Sequence, residues 1–433
     1  MNKMKSIDKK YNAVVIGGGF SGVAAALASA RAGLSVLLVE RGNCLGGAAA
    51  ANLVNPFMPF WTNIKDETGG GQKRKYLSAG IFREILNNLS EAGALGENEM
   101  TFDEETLKLI LNRMTIRAGI DLLFHSYLIG ADVNKEDKSV KTVTVANKSG
   151  CMELSADYFV DATGDADLAA LCGSPFRLGR DGDGLCQPMT LCFRLANVDI
   201  DKFRQSRSEI NPLYKEMQER GKIKNIREDV LIFDTLTDGI LHFNSTRIVK
   251  RNPVDAFDLT IAETEAREQV FELHGFLKEN IDGFQNSKLI MTAPNIGVRE
   301  SRMIDGEYIL TGQDLISCTK FKDSIAAGNY DIDIHNPEGS GTSHYYFPDG
   351  EYYTIPYRSL IPKGLNNLLV AGRCISATHE AQASIRIMPI VCCLGEAAGT
   401  AVAVACKNNV PVNQADIGQI QDSLTANGAF IGL

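Results

Sequence analysis

The feature that most constrains this chain is a run of glycines, Gly17-x-Gly19-x-x-Gly22, set between an apolar stretch at 11–16 and an alanine-rich stretch at 21–32. The apolar stretch reads as a short buried strand. The alanine-rich one reads as a helix ended by Gly33, since glycine takes a left-handed cap without a Cβ penalty. Residues 35–40 read as a second strand, so the spacing predicts a β-α-β unit. In such a unit Gly17 makes the tight turn, Gly19 admits a pyrophosphate to the backbone, and Gly22 lets helix and sheet pack closely. The helix start offers unpaired N–H groups to phosphates. Glu40 closes the second strand, where a carboxylate accepts hydrogen bonds from both ribose hydroxyls and repels a 2′-phosphate. The unit predicts a dinucleotide ligand without separating FAD from NAD.

Two later stretches separate them. Asp161-Ala-Thr-Gly-Asp165 follows an apolar strand, and Asn366-Asn-Leu-Leu-Val-Ala-Gly-Arg373 is a strand ending in Gly372-Arg373 before a long small-residue helix. An extended FAD reaches well past the first β-α-β unit and needs such distant backbone contacts; a fold that holds only NAD does not. Between them the pattern predicts helices over 79–92 and 102–118, a third parallel strand at 120–124, an antiparallel hairpin at 127–133 and 140–146, and a strand at 158–162. Residues 43–71 read as loop. After 177 the texture turns polar, with helices at 199–220 and 254–280. The expected fold class is α/β: a Rossmann-like FAD-binding domain, parallel sheet plus antiparallel hairpin layer, formed by residues 1–176 and 347–433. An α+β substrate lobe is inserted at 177–346.

A length of 433 residues with 44% apolar content suits two lobes. A formal charge of −9 leaves no broad positive field for nucleic acid. The stretch 387–406 is apolar enough to resemble a membrane span, but Glu396 near its middle and Gly395 and Gly399 on one face suit a buried, closely packed helix. No secretory leader is recognisable before the glycine turn, so a cytoplasmic protein is expected. Its ten cysteines show no Cys-x-x-Cys spacing, and no metal is expected. Gly69-Gly-Gly71 has neither strand before it nor helix after it, so no second dinucleotide unit is read there.

Several stretches taken together carry a resemblance: Val14 to Glu40, Leu45-Gly-Gly47, Ala162-Thr-Gly-Asp165, Gly297-Val-Arg-Glu-Ser-Arg302, Tyr353-Thr-Ile-Pro-Tyr-Arg-Ser-Leu360, Leu368-Leu-Val-Ala-Gly-Arg-Cys-Ile-Ser376 and Gly395-Glu-Ala-Ala-Gly399. The chain resembles the FAD-dependent oxidoreductases of the glutathione-reductase-like superfamily. Within them it is similar to the family that includes the heterodisulfide-reductase flavoprotein subunit and proteins labelled xanthan lyases. The resemblance implies FAD contacts at Gly17, Gly19, Ser21, Gly22, Glu40, Arg41, Gly46, Gly47, Ala162, Thr163, Gly164, Gly372 and Arg373. It also implies that Ser384, Ile385 and Arg386 lie near the flavin pyrimidine edge. The chain lacks the cysteine clusters of its iron–sulfur-bearing relatives and a Cys-x-x-x-x-Cys redox pair. Cys44, beside the predicted flavin loop, reads as a packed thiol rather than a flavin attachment point.

Flavin chemistry needs a substrate held against the ring and an acid or base for the accompanying proton. Arg299 and Arg302 suit a carboxylate clamp, with an interlobe ion pair as the competing reading. His379 follows the Gly372-Arg373 turn and suits acid–base work, against a simple loop histidine. Arg386 precedes the buried helix and would favour negative charge on the ring. His344, Tyr345, Tyr353, Tyr357 and Arg358 either line the pocket or pack the lobe interface, with packing favoured for each. The expected function is an FAD-dependent oxidoreductase moving a hydride between FAD and a small organic, carboxylate-bearing substrate. An electron-transfer subunit for a redox partner and a non-catalytic flavin scaffold are the alternatives.

Overall fold

A computed structural model describes residues 5–6, 9–66 and 71–433. Tyr11–Ile16 (β1) is buried on both faces except at Asn12, as a central strand of a parallel sheet must be. Phe20–Arg31 (α1) follows the glycine turn, and Val36–Val39 (β2) pairs parallel with β1. The segment expected as loop carries a single-turn helix, Ala48–Ala51, and a strand, Trp61–Lys65, paired antiparallel with Gln72–Tyr76. Those strands are polar and lack apolar alternation. Trp61 faces Tyr76 in register, and the Arg74 guanidinium lies 3.9 Å over the Trp61 ring. Gly69 and Gly70, read above as no dinucleotide turn, lie outside the described residues.

Ile81–Glu91 (α2) and Glu104–Arg117 (α3) follow. Asp103 caps α3, accepting a hydrogen bond from the Thr106 N–H at 2.7 Å, and Glu104 and Glu105 complement the positive helix end. Next come Asp121–Leu123 (β3), Tyr127–Asn134 (β4), Ser139–Asn147 (β5) and Gly150–Asp161 (β6). The middle of the chain forms Phe193–Ala196 (β7), Ile200–Glu219 (α4), Ile232–Asp234 (β8), Leu241–Phe243 (β9), Ala256–Asn280 (α5) and Lys288–Thr292 (β10). A hairpin, Ile332–His335 (β11) with Thr342–Tyr345 (β12), precedes Leu368–Val370 (β13), His379–Ile385 (α6) and Met388–Asn408 (α7).

The main sheet runs β3-β2-β1-β6-β5-β4, and β13 also pairs with β6. One strand serves both expected layers. From Gly150 to Ser155, β6 is antiparallel to β5; from Ala156 to Asp161 it is parallel to β1, with β13 parallel on its other side. It therefore begins at Gly150 rather than near 158. The middle lobe stacks α4 and α5 around an antiparallel sheet, β8-β9-β7-β10, with its own core from Met189 to Ile296. Leu310, Leu315, Ile325 and Ile332 already pack into the core of the two chain ends. The chain thus returns to the first core before 346, because the polar look of 330–346 conceals the β11–β12 hairpin. Arg194 of β7 and Glu104 of α3 join the lobes through two parallel bonds of 2.6 Å.

The α7 helix is the one long and apolar enough, by composition, to cross a bilayer among the described residues, yet 89% of its most apolar window is buried in the protein. It lies against α1 at backbone contact. A Cβ at Gly395 would fall 2.0 Å from the Ser21 carbonyl oxygen, and one at Gly399 2.2 Å from that of Ala25. Glu396, only 3% exposed, accepts from the Ile81 N–H at 2.9 Å and so caps the start of α2, whose cap residue Gly80 has no side chain to do it.

Burial pushes the Glu396 carboxyl from 4.5 up to about 7. The folded chain therefore favours the protonated acid. That contribution is whole below pH 4.5 and is lost as pH climbs through about 7, a difference on the order of 3 kcal/mol. Glu396→Gln keeps the acceptor and removes the titration. Its thermal midpoint should exceed wild type at pH 8.5 and converge on it near pH 5; a constant offset across that range would contradict the assignment.

Candidate active site

The turn between β1 and α1 is held open by contacts that admit no side chain. Gly17 has φ +107°, and a Cβ there would lie 2.3 Å from the Ala162 carbonyl oxygen. At Gly22 a Cβ would lie 1.7 Å from the Gly17 oxygen. Gly19 differs: it is the N-cap of α1, no side chain caps that first turn, and the nearest atom to a Cβ would be Gly47 Cα at 3.8 Å. The uncapped helix start and the clear space beside Gly19 are the cradle a pyrophosphate requires. Glu40 at the end of β2 accepts from the Gly18 and Gly42 N–H groups at 2.6 Å each, which fixes the carboxylate and leaves lone pairs for hydroxyl donors. Gly46 and Gly47 close the rim, with the Gly46 N–H bonded to the Gly18 oxygen at 2.9 Å. Arg41 is exposed, and its charge reaches Asp165. Cys44 sits nearby half-buried; burial raises its thiol pKa, which leaves it protonated and a poor nucleophile.

The far segment reaches the same crevice. A Cβ at Gly372 would meet Ser21 Oγ at 3.1 Å, so the turn after β13 lies against the start of α1. Asp161, fully buried, accepts from the Thr163 N–H and hydroxyl and from the Ala169 N–H, which shapes the turn through Ala162, Thr163 and Gly164. Burial raises its carboxyl pKa to about 6. Arg373 packs over Gly164 and pairs with Asp165 at 2.5 Å, while the Ser301 hydroxyl donates to the same Asp165 oxygen at 2.6 Å. The Arg373 side chain is thus engaged by protein. Ser384 and Ile385 are fully buried: the Ser384 hydroxyl bonds Tyr353 OH at 2.6 Å and the Tyr330 carbonyl, and Ile385 lies in the core. Their side chains pack inward because the short α6 turns that face to the core, so a contact of this segment with the flavin would come from its backbone.

The Arg-Glu-Ser-Arg stretch splits its duties. Arg302 donates to the Asp165 carbonyl at 3.1 Å and to Asp167 at 2.8 Å, so it ties this segment to the first lobe instead of clamping a substrate. Glu300, with no exposed surface, accepts from the Gln187 N–H at 2.8 Å and meets His379 Nδ1 at 2.7 Å. His379, 7% exposed, starts α6 after Thr378, whose side chain caps that helix. Two clefts of about 440 and 570 Å³ open beside it and share Ile334, Ser343 and Glu380; His379 lines the larger. Arg299 donates from Nη1 to the Pro188 carbonyl and to Thr190 Oγ1. Arg386 pairs with Asp333 at 3.2 Å, which offsets the charge expected to act on the ring.

The sequence reading missed the partners of these groups. Asp333 Oδ2 collects Arg386, the Tyr330 hydroxyl at 3.1 Å and His335 Nε2 at 3.2 Å. His335 Nδ1 meets Arg247 Nη2 at 3.0 Å, which places the ring proton on Nε2 toward Asp333. Arg247 is 1% exposed and holds the β11–β12 turn through the Gly339 and Gly341 carbonyls. The alternation Ile332-Asp-Ile-His335 was the available signal, since it puts Asp333 and His335 on one face of a strand. Of the residues left between pocket and packing, Tyr353 is buried on Ser384, Tyr357 donates to the Val412 carbonyl at 2.7 Å, and Arg358 pairs with Asp323 at 2.8 Å; all three pack. His344 pairs with Asp331 at 2.5 Å and, with Tyr345, lines the smaller cleft.

A protein whose sheet, glycine turn and returning strand are arranged in this way binds a dinucleotide in the crevice at the carboxyl ends of its parallel strands. The chain belongs to the FAD dependent oxidoreductase family, whose sequence profile matches residues 12–424; its cofactor is FAD, and it is an FAD-dependent oxidoreductase. Soluble pyridine nucleotide transhydrogenases of Mycobacterium bovis and Mycobacterium tuberculosis are each 26% identical over 186 residues, 40% of this chain and 39% of theirs. The chain therefore matches well under half the length of those relatives. Among solved structures, a geranylgeranyl bacteriochlorophyll reductase-like protein from Thermoplasma acidophilum gives a TM-score of 0.48 at 12% identity over 98% of this chain and 83% of that one. A p-nitrophenol 4-monooxygenase from Pseudomonas putida gives 0.48 at 11% over 99% and 90%. Likenesses this distant do not inform the reaction.

Proposed function

We propose that the protein moves a hydride equivalent between FAD and a small organic acid bound beneath the middle lobe, with His379 carrying the accompanying proton. Bound FAD supplies the two-electron redox chemistry. The observation behind the proton role is the buried His379–Glu300 pair. With Nδ1 turned to a carboxylate, that nitrogen holds the ring proton, and Nε2, without a protein partner among the described residues, keeps its lone pair for acid–base work. Glu300 orients the ring and touches no substrate, so it is a positioning residue. The parallel order β3-β2-β1-β6 with β13 alongside, and the acid ending β2, support placing the chain in the glutathione-reductase-like superfamily. Ten unpaired cysteines suit a cytoplasmic location.

The test is anaerobic flavin bleaching by a panel of small organic acids. With an acid that bleaches wild type, His379→Asn should slow reduction about 10²- to 10⁴-fold at unchanged flavin content. Glu300→Gln should also shift the pH profile. Bleaching at the wild-type rate in His379→Asn, or a flavin that accepts electrons only from a protein partner, would sink the reading.

A further inference from the structure

We propose that Arg299 anchors a subsite for a single carboxylate of a small organic acid, taken side-on against its Nε–Nη2 edge. The proposal deepens the reading above and rests on it for the reaction, though not for the binding.

Three neighbouring guanidiniums each have an acid. Arg227 Nε lies 3.0 Å from Asp229, Arg247 Nη2 lies 3.3 Å from Glu228, and Arg386 Nη2 lies 3.2 Å from Asp333. Arg299 sits among them and has no carboxylate within ion-pair distance among the described residues. Its hydrogen bonds all go to neutral atoms. Nη1 is used up by the Pro188 carbonyl at 2.7 Å and Thr190 Oγ1 at 2.5 Å; Nη2 reaches only Asn244 Oδ1, at 3.4 Å. Nε has no partner among the described residues, and the residue is only partly buried. The open edge is therefore Nε with one Nη2 hydrogen, the pair of parallel donors that fits both oxygens of a carboxylate.

The electrostatics agree with the geometry. Arg227, Arg247 and Arg386 each direct a donor at an acid, Asp229, Glu228 and Asp333, and Arg299 directs none. Burial, with Arg386 and Arg227 adding to it, pulls the Arg299 pKa down to about 9; Asp333, already engaged by Arg386, offsets this only in part. His335 adds no further positive charge, since burial lowers its pKa to about 3 and leaves it neutral near pH 7. A monocarboxylate supplies the directly bonded acid that Arg299 lacks.

The probes are benzoate and its uncharged isostere benzamide, added to the FAD-loaded protein and read by flavin difference absorbance and thermal midpoint. Benzoate should perturb the flavin band saturably and raise the midpoint, and benzamide should bind at least about tenfold more weakly. Arg299→Met should lose both benzoate responses while keeping its flavin. Its midpoint without added acid should be no lower than wild type, since a buried unmatched charge has been removed. Arg299→Lys should recover part of the binding. Equal binding of benzoate and benzamide, wild-type benzoate affinity in Arg299→Met, or loss of FAD in that variant in place of loss of benzoate would each overturn the subsite. The two readings fail separately: benzoate binding that tracks Arg299 while no acid bleaches the flavin overturns the proposed reaction and leaves the subsite standing. Bleaching by an acid whose KM is unchanged in Arg299→Met does the reverse.

Discussion

Gly19→Val should yield a folded, colourless protein. A Cβ at this position meets nothing closer than Gly47 Cα at 3.8 Å, and the backbone at Gly19 (φ −69°, ψ −178°) is one that valine adopts readily. The branched side chain fills the one space the turn leaves for a pyrophosphate, and it fills no space the apoprotein needs. Flavin occupancy after purification should fall at least tenfold, equivalent to more than about 1.4 kcal/mol of binding. The thermal midpoint should match that of wild type stripped of FAD. Gly17→Ala and Gly22→Ala provide the contrast. Their new Cβ atoms would strike backbone at 2.3 Å and 1.7 Å, so those variants should lose the fold together with the flavin. A yellow Gly19→Val protein at full occupancy would mean that the cofactor does not cross this helix start.

A second large effect is expected at the contact between α1 and α7. Helix propensity alone says that Gly399→Ala stabilises, by up to about 1 kcal/mol. Packing says the opposite: the Cβ would sit 2.2 Å from the Ala25 oxygen, and neither backbone can yield without moving a helix. Overpacking of this kind costs about 1–3 kcal/mol or more, so packing wins and the variant should melt several degrees lower. Because α1 presents the phosphate cradle at its amino end, flavin affinity should fall with it. Gly275, within α5, meets nothing inside 4 Å, and Gly275→Ala should show the propensity gain by itself. Calorimetry of the two variants side by side is the check, and a stabilised Gly399→Ala would show that the helices do not touch at backbone distance in solution.

The dinucleotide half of the fold was legible because its chemistry is local. Gly17, Gly19 and Gly22 are required within one turn, Glu40 within one strand, and the apolar run through α7 within one helix. The catalytic half is assembled from contacts between distant segments. Glu300 meets His379 across 79 positions, and Arg247 meets His335 across 88; no window of sequence contains either pair. Arg299 and Arg302 looked equivalent as text. Their difference arises only when Asp167 is brought into ion-pair contact with Arg302, while among the described residues no acid comes within that distance of Arg299. Glu396 looked like a reason to doubt a membrane helix, and its actual task, capping α2, depends on Gly80 lying opposite.

The seam between α1 and α7 also makes the flavin crevice a joint product of two segments more than three hundred positions apart. The apolar back of α1 is covered only when α7 is docked on it, and the crevice gains its second wall only when Gly372 and Arg373 lie against Ser21 and Gly164. A fragment holding the first β-α-β unit without residues 367–408 therefore has the phosphate cradle but not the enclosure, however faithfully that unit forms.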